Sequence, residues 1–218
     1  MIDDFLSGLE HDDLLTHALG ARTQFQGGSA YEAGGDERLS SVDLAGTFHG
    51  RLLESRLLVW FPMIARALGL RMFALAPFEA RLTAATDGYR SKLQWGEMPE
   101  LPRVLTCLYF LHREPRGFAG GELLFYDRVE DGGVRGAGER AAAVAPVANR
   151  LVVFPGEECH EVLPVRCPSG EFADSRFAVT TWLRSATRLD PHRRFGWGRF
   201  RCGVVAPQFA FAEVAGMA

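Results

Sequence analysis

Between Asn149 and Arg184 the chain reads NRLVVFPGEECHEVLPVRCPSGEFADSRFAVTTWLR. Three runs rich in Val, Phe and Thr are separated there by turn chemistry, and no other stretch limits the fold as tightly. Asn149–Phe154 is apolar and closes on Pro155-Gly156. A second run starts at His160, the loop Pro168–Gly170 follows, and the third run is Arg176–Leu183. Runs this short, bounded by Gly and Pro and rich in β-branched and aromatic residues, suit strands. The second and third runs each open on a residue able to bind a ligand, His160 and Arg176.

Upstream, the pattern changes from helical to extended. Ser7 is placed to cap a helix to about Leu19, with Glu10 as its capping-box partner. Gln26–Gly35 is a Gly-rich connector around Tyr31, and Ser40–Leu44 a strand or an extended lead-in. From about Gly50 to Leu68 the apolar residues recur at helical spacing, with Pro62 predicting a kink or a break. After Pro77 come Phe78–Thr86, the turn Asp87-Gly88, Arg103–Leu111, Glu122–Tyr126, a glycine-studded connection at Asp131–Gly138, and Ala142–Val147. Seven or eight short strands separated by turns predict an all-β sandwich or barrel with the helices against one face. The chain reads as one domain: helical support over 1–74, a β core over 75–184, and an extension over 185–218 rich in Arg and aromatics.

Composition narrows the function classes. A net charge of −3 without a basic block argues against nucleic acid or a membrane surface as partner. The acidic start MIDDFLSGLEHDD lacks the basic region of a signal peptide, and no apolar run reaches membrane-spanning length. Cys107, Cys159, Cys167 and Cys202 show no paired spacing. A cytoplasmic protein with reduced thiols is expected.

Taken in order, RVLTCLYFL, GFAGGELLFYD, NRLVVFPG, HEVLPV and SRFAVTTWLR resemble the core of the Fe(II)/2-oxoglutarate-dependent dioxygenases, in their prolyl 4-hydroxylase-like branch. That resemblance implies a double-stranded β-helix, a jelly-roll barrel with its site in the mouth, flanked by N-terminal helices. It implies Fe(II) held by two histidines and one carboxylate, with 2-oxoglutarate bound beside it. His160 matches the distal iron-binding histidine, and Arg176 the basic residue that pairs with the far carboxylate of 2-oxoglutarate. Tyr109 is placed to hydrogen-bond that same carboxylate, or else to pack in the core.

The His-x-Asp motif that supplies the other two metal ligands is missing. Its region reads DGYRSKLQWGEMPELPR, Asp87–Arg103. Aligned on Gly88, the ligand positions fall on Gln94 and Gly96; aligned on Tyr89, on Lys92 and Gln94. An amide oxygen is a weak iron ligand and an ammonium opposes metal binding. His112-x-Glu114 and His11-x-Asp13 have the spacing, but the first follows a strand where the family has a turn and the second sits in the N-terminal helix. Glu97 and Glu100 have no accompanying histidine.

Three readings stay open. One is an iron and 2-oxoglutarate oxygenase with an unusual ligand set, a hydroxylase-like oxidoreductase acting on a small molecule. Another is a relative that has lost iron and binds or transforms an acidic small molecule through Arg176, with Lys92 replacing the metal's charge or, buried beside Arg176, serving as a base. The third is a non-catalytic scaffold whose contact surface is the tail Arg193–Arg201.

Overall fold

In the computed structural model, residues 1–27, 38–94, 103–131 and 134–186 are described. The connector around Tyr31, Gly96, Glu97, Glu100, Cys202 and the tail Arg193–Arg201 lie outside them.

Ser7 starts the first helix by a reciprocal cap. Its hydroxyl accepts from the Glu10 N–H, and the Glu10 carboxylate accepts from the Ser7 N–H at 2.9 Å. Helix α1 (Gly8–Gly20) buries His11, Leu14 and Ala18. Helix α2 (Phe48–Ala67) begins on a Thr47 cap and continues through Pro62, where a kink or break was expected. Its buried stripe of Leu53, Leu57, Phe61, Ile64 and Ala65 extends to both sides of the proline. Packing of that stripe holds the helix across a residue without an N–H.

The strands among the described residues are β1 (Gln26–Gly27), β2 (Leu39–Asp43), β3 (Glu79–Ala85), β4 (Arg103–Leu111), β5 (Ala119–Gly120), β6 (Leu123–Asp131), β7 (Val134–Val144), β8 (Leu151–Pro155), β9 (His160–Val162), β10 (Val165–Arg166) and β11 (Arg176–Arg184). The glycine-studded stretch read as a connection lies mostly inside β7, which forms a long hairpin with β6. A six-stranded sheet runs β1-β2-β3-β11-β4-β8, a three-stranded sheet β7-β6-β9, and β10 pairs with β5.

The closed double-stranded β-helix expected from the sequence is not formed. The fold is a mixed α/β, sheet-rich arrangement whose sheets stay separate and open, with β1 and β8 at the edges of the large sheet and β7 and β9 at the edges of the small one. Closure requires edge strands to pair with one another. Part of the β8 edge is instead taken by the N-terminus, where Ile2 and Leu151 exchange two backbone hydrogen bonds of 2.8 Å.

Strand alternation makes the layers. On one face of the large sheet Leu105, Cys107, Tyr109, Leu111, Phe177 and Val179 pack with the buried residues of α1 and α2. On the other face Leu108, Phe110, Val152, Phe154 and Ala178 meet Leu123, Phe125 and Val144 of the small sheet. Helices, large sheet and small sheet are thus stacked in that order. The candidate site lies between the two sheets.

Candidate functional site

Arg176 begins β11 on the face shared with Ala178, so its side chain enters the space between the sheets. It is only 3% exposed. Its Nε donates to the Gly121 carbonyl at 2.8 Å, and the guanidinium sits 4.9 Å from the centre of the Phe110 ring, a cation–π contact. Its Nη2 is buried without a hydrogen-bond partner among the described residues. Burial pulls the Arg176 pKa down to about 10, opposed by the nearby Tyr89 and Glu122. A buried donor costs about 1–3 kcal/mol when unsatisfied, more when it is charged. The orphaned Nη2 of a buried cation therefore fits a carboxylate.

The loop before β6 makes room for this side chain. Gly120 and Gly121 adopt φ of +74° and +71°, which glycine tolerates and other L-residues rarely adopt. A Cβ on Gly121 would stand 2.5 Å from Arg176 Cδ, and one on Gly120 would stand 2.1 Å from the Pro164 carbonyl oxygen. The GGEL turn is thus a cradle for the arginine stem.

His160 begins β9 in an aromatic corner. Its ring centre lies 4.9 Å from that of Phe154 and 6.2 Å from that of Phe125. Its Nδ1 is 2.8 Å from the Glu158 carbonyl oxygen, which can only accept, so Nδ1 carries the proton and the neutral ring presents its lone pair at Nε2. A backbone carbonyl on one ring nitrogen is the usual support for a histidine that ligates through the other. Burial holds the His160 pKa below its ordinary 6.5 despite the Glu158 carbonyl.

His11 and His17 are likewise lowered, chiefly by burial. In each case the unfolded chain takes up a proton that the fold resists. Stability is therefore full above about pH 6.5 and falls as pH drops through the folded values. Chemical denaturation at stepped pH should show that fall, and His160→Gln should flatten part of it. A variant slope equal to the wild type's would remove His160 from this account.

Gln94 is brought to His160. The two residues exchange both backbone hydrogen bonds, at 2.7 and 3.1 Å. Directly opposed residues of an antiparallel pair project to the same face. Phe125 opposes His160 from the other side, so Gln94, His160 and Phe125 form one row across three segments.

Lys92 does not join them. It is exposed, whereas its neighbours Tyr89 and Ser91 are buried. Ser91 takes the inward place, its Oγ accepting from the Val162 N–H at 2.7 Å. The expectation of a lysine buried beside Arg176 is thereby corrected.

Tyr109 is also elsewhere. It opposes Val179, so it belongs to the helix-facing side of the sheet, away from Arg176. Its hydroxyl donates to Asn149 Oδ1 at 3.0 Å and lies 2.6 Å from His11 Nδ1, joining α1 to the sheet. The phenol near Arg176 is that of Tyr89, buried and acting on the guanidinium's charge. Its sequence signal was modest, an aromatic residue directly after the Asp87-Gly88 turn.

The remaining histidine pairs serve the fold. His112 places its ring nitrogens 3.0 and 3.1 Å from the Arg113 and Pro146 carbonyl oxygens. Asp13, near His11 in α1, holds His49 at 2.9 Å. Among the described residues no three His, Cys, Asp or Glu side chains gather as a metal site. The described residues therefore fit a carboxylate at Arg176 and do not by themselves fit Fe(II).

Residues 82–184 match the family described as the 2OG-Fe(II) oxygenase superfamily. A PKHD-type hydroxylase of Synechocystis sp. is 30% identical over 187 residues, which are 84% of this chain and 62% of that protein. The chain thus spans under two thirds of that relative's length. A prolyl-4-hydroxylase of Pseudomonas putida superposes with a TM-score of 0.58 at 20% identity, over 85% of this chain and 91% of that one. A prolyl hydroxylase from Trichoplax adhaerens, solved with a hypoxia inducible factor peptide, gives 0.57 at 17% identity, over 84% and 82%.

The likeness to the 2OG-Fe(II) oxygenase superfamily thus rests on residues 82–184, just under half of the chain. The chain's arrangement resembles the core of the solved prolyl hydroxylases, and no complete metal site is present among the described residues. No described helix is long and apolar enough to cross a membrane.

Proposed function

We propose that this chain binds a small dicarboxylic acid of the 2-oxoglutarate type between its two sheets, one carboxylate being taken by Arg176. The observation that supports this most is the buried guanidinium with an orphaned Nη2, held by the Gly121 carbonyl and by the Phe110 ring. Tyr89 and Glu122 flank the arginine, while His160 and Gln94 line the row beside Phe125. The partner is a small molecule rather than nucleic acid, and the setting is cytoplasmic, in keeping with the free thiols of Cys107, Cys159 and Cys167.

Oxidative, hydroxylase-type chemistry on an acidic or neutral small substrate is the activity that likeness to the superfamily favours. This chain's described residues contribute the carboxylate grip at Arg176 and a lone pair at His160 Nε2. Isothermal titration with 2-oxoglutarate and with its C4 and C6 homologues tests the reading. Saturable binding of one equivalent, weakened by added salt and preferring one chain length, is expected. Absence of heat and of thermal-shift response to all three acids would sink it.

A further inference from the structure

We infer that the site between the sheets holds its carboxylate ligand without a divalent metal ion, Gln94 standing as a neutral amide in the place from which a metal ligand would face His160. This rests on the carboxylate reading of Arg176 and adds to it the nature of the site's other end.

Three observations lead there. First, the pairing of Gln94 with His160 is direct, since each backbone donates to the other. The side chain that the neighbouring segment sets beside the imidazole is therefore that of residue 94, an amide. An amide oxygen carries no charge and competes poorly for a first-row metal ion against imidazole and carboxylate. Second, among the described residues the rings of Phe125 and Phe154 stand beside His160. Aromatic faces offer a metal ion no lone pairs and leave its charge poorly solvated. Third, the fixed positive charge in this interior is already supplied by Arg176. That charge can pair with one carboxylate of the ligand without a metal ion. An amide at residue 94 is a group able to donate to the ligand's other end.

Such a site binds through charge pairing and neutral hydrogen bonds, so its affinity should not depend on a metal. The expected result is the same 2-oxoglutarate affinity, within about twofold, in EDTA and in excess Mn(II). Electron paramagnetic resonance of free Mn(II) should lose no amplitude when the wild-type chain is added, with or without 2-oxoglutarate.

The variant Gln94→His/Gly96→Asp rebuilds the missing motif at the positions the sequence aligns. It should quench the free Mn(II) signal and tighten 2-oxoglutarate binding in Mn(II) about tenfold or more. Stoichiometric Mn(II) retention by the wild type, or an affinity about tenfold higher in Mn(II) than in EDTA, would overturn the inference. A variant with the parent's circular dichroism that still ignores Mn(II) would overturn the placement of Gln94. Failure of 2-oxoglutarate to bind in both buffers, whatever Mn(II) does, overturns the carboxylate reading and with it this inference.

Discussion

Gly121→Ala should lower the melting temperature by about 5–15 °C and displace Arg176 from its seat. The added Cβ would stand 2.5 Å from Arg176 Cδ and 2.9 Å from Nε, inside any normal contact distance. A flexible side chain in solvent would swing away. Arg176 cannot, because it is buried, its Nε is bonded to the Gly121 carbonyl, and its guanidinium is pressed to Phe110. The backbone adds a second penalty: φ at Gly121 is +71°, and left-handed backbone costs an L-residue about 1–2 kcal/mol. Overpacking adds roughly 1–3 kcal/mol. The total, about 2–5 kcal/mol, converts at about 2–4 °C per kcal/mol for a chain of this size.

A double-mutant cycle separates the two parts. In the Arg176→Ala background the collision with the arginine is gone, leaving the φ penalty and a 3.2 Å approach to Val165 Cγ2, so the glycine substitution should cost about 1–3 kcal/mol less there. Additive effects of the two changes would show that the turn does not cradle the arginine.

The same few residues show what could be read from the sequence and what could not. Arg176 stood out because it opens an apolar β-run, a position where a charged residue must either reach solvent or find a use, and the fold buries it. His160 and Gln94 could be named one at a time from motif order, but their pairing is a contact between residues 66 positions apart, given by register and not by local pattern.

Tyr109, open in the sequence to a place beside the ligand carboxylate or in the core, takes the core place for the same reason. In RVLTCLYFL, Tyr109 and Phe110 are equally good inward residues until it is known that Tyr109 opposes Val179 and that Ala178 opposes Phe110. A one-residue difference in register exchanges them. Lys92 failed on a local irregularity: buried Ser91 lends its side chain to the Val162 N–H, and the residue beside it turns outward.

Barrel closure was also beyond local reading. Strand number and spacing were visible as β-branched runs between turns. Whether β1, β7, β8 and β9 pair with one another or remain edges depends on sheet twist and on what else covers the edge, and here Ile2 covers part of β8. Pro62 shows the converse case, a strong local signal overridden by the packing of α2 on the sheet.

Replacing Arg176 by Met should separate stability from binding, moving them in opposite directions. In the free protein the guanidinium is desolvated, its pKa is lowered to about 10, and its Nη2 has no partner among the described residues. An unpaired buried charge weakens a fold, and a well-packed apolar residue of similar length is often neutral or stabilising. Met also keeps contact with Phe110, exchanging a cation–π contact for a sulfur–aromatic one of comparable size. The melting temperature of Arg176→Met should therefore equal or exceed that of the wild type. Dicarboxylate affinity should fall by about 2–4 kcal/mol, roughly 30- to 1000-fold, because the ligand's carboxylate would enter the same interior without its countercharge. Arg176→Lys should lie between them, restoring charge without the planar fork. The opposite pattern, a variant several degrees less stable that binds the acid as the wild type does, would make Arg176 a structural residue and leave the carboxylate site without its anchor.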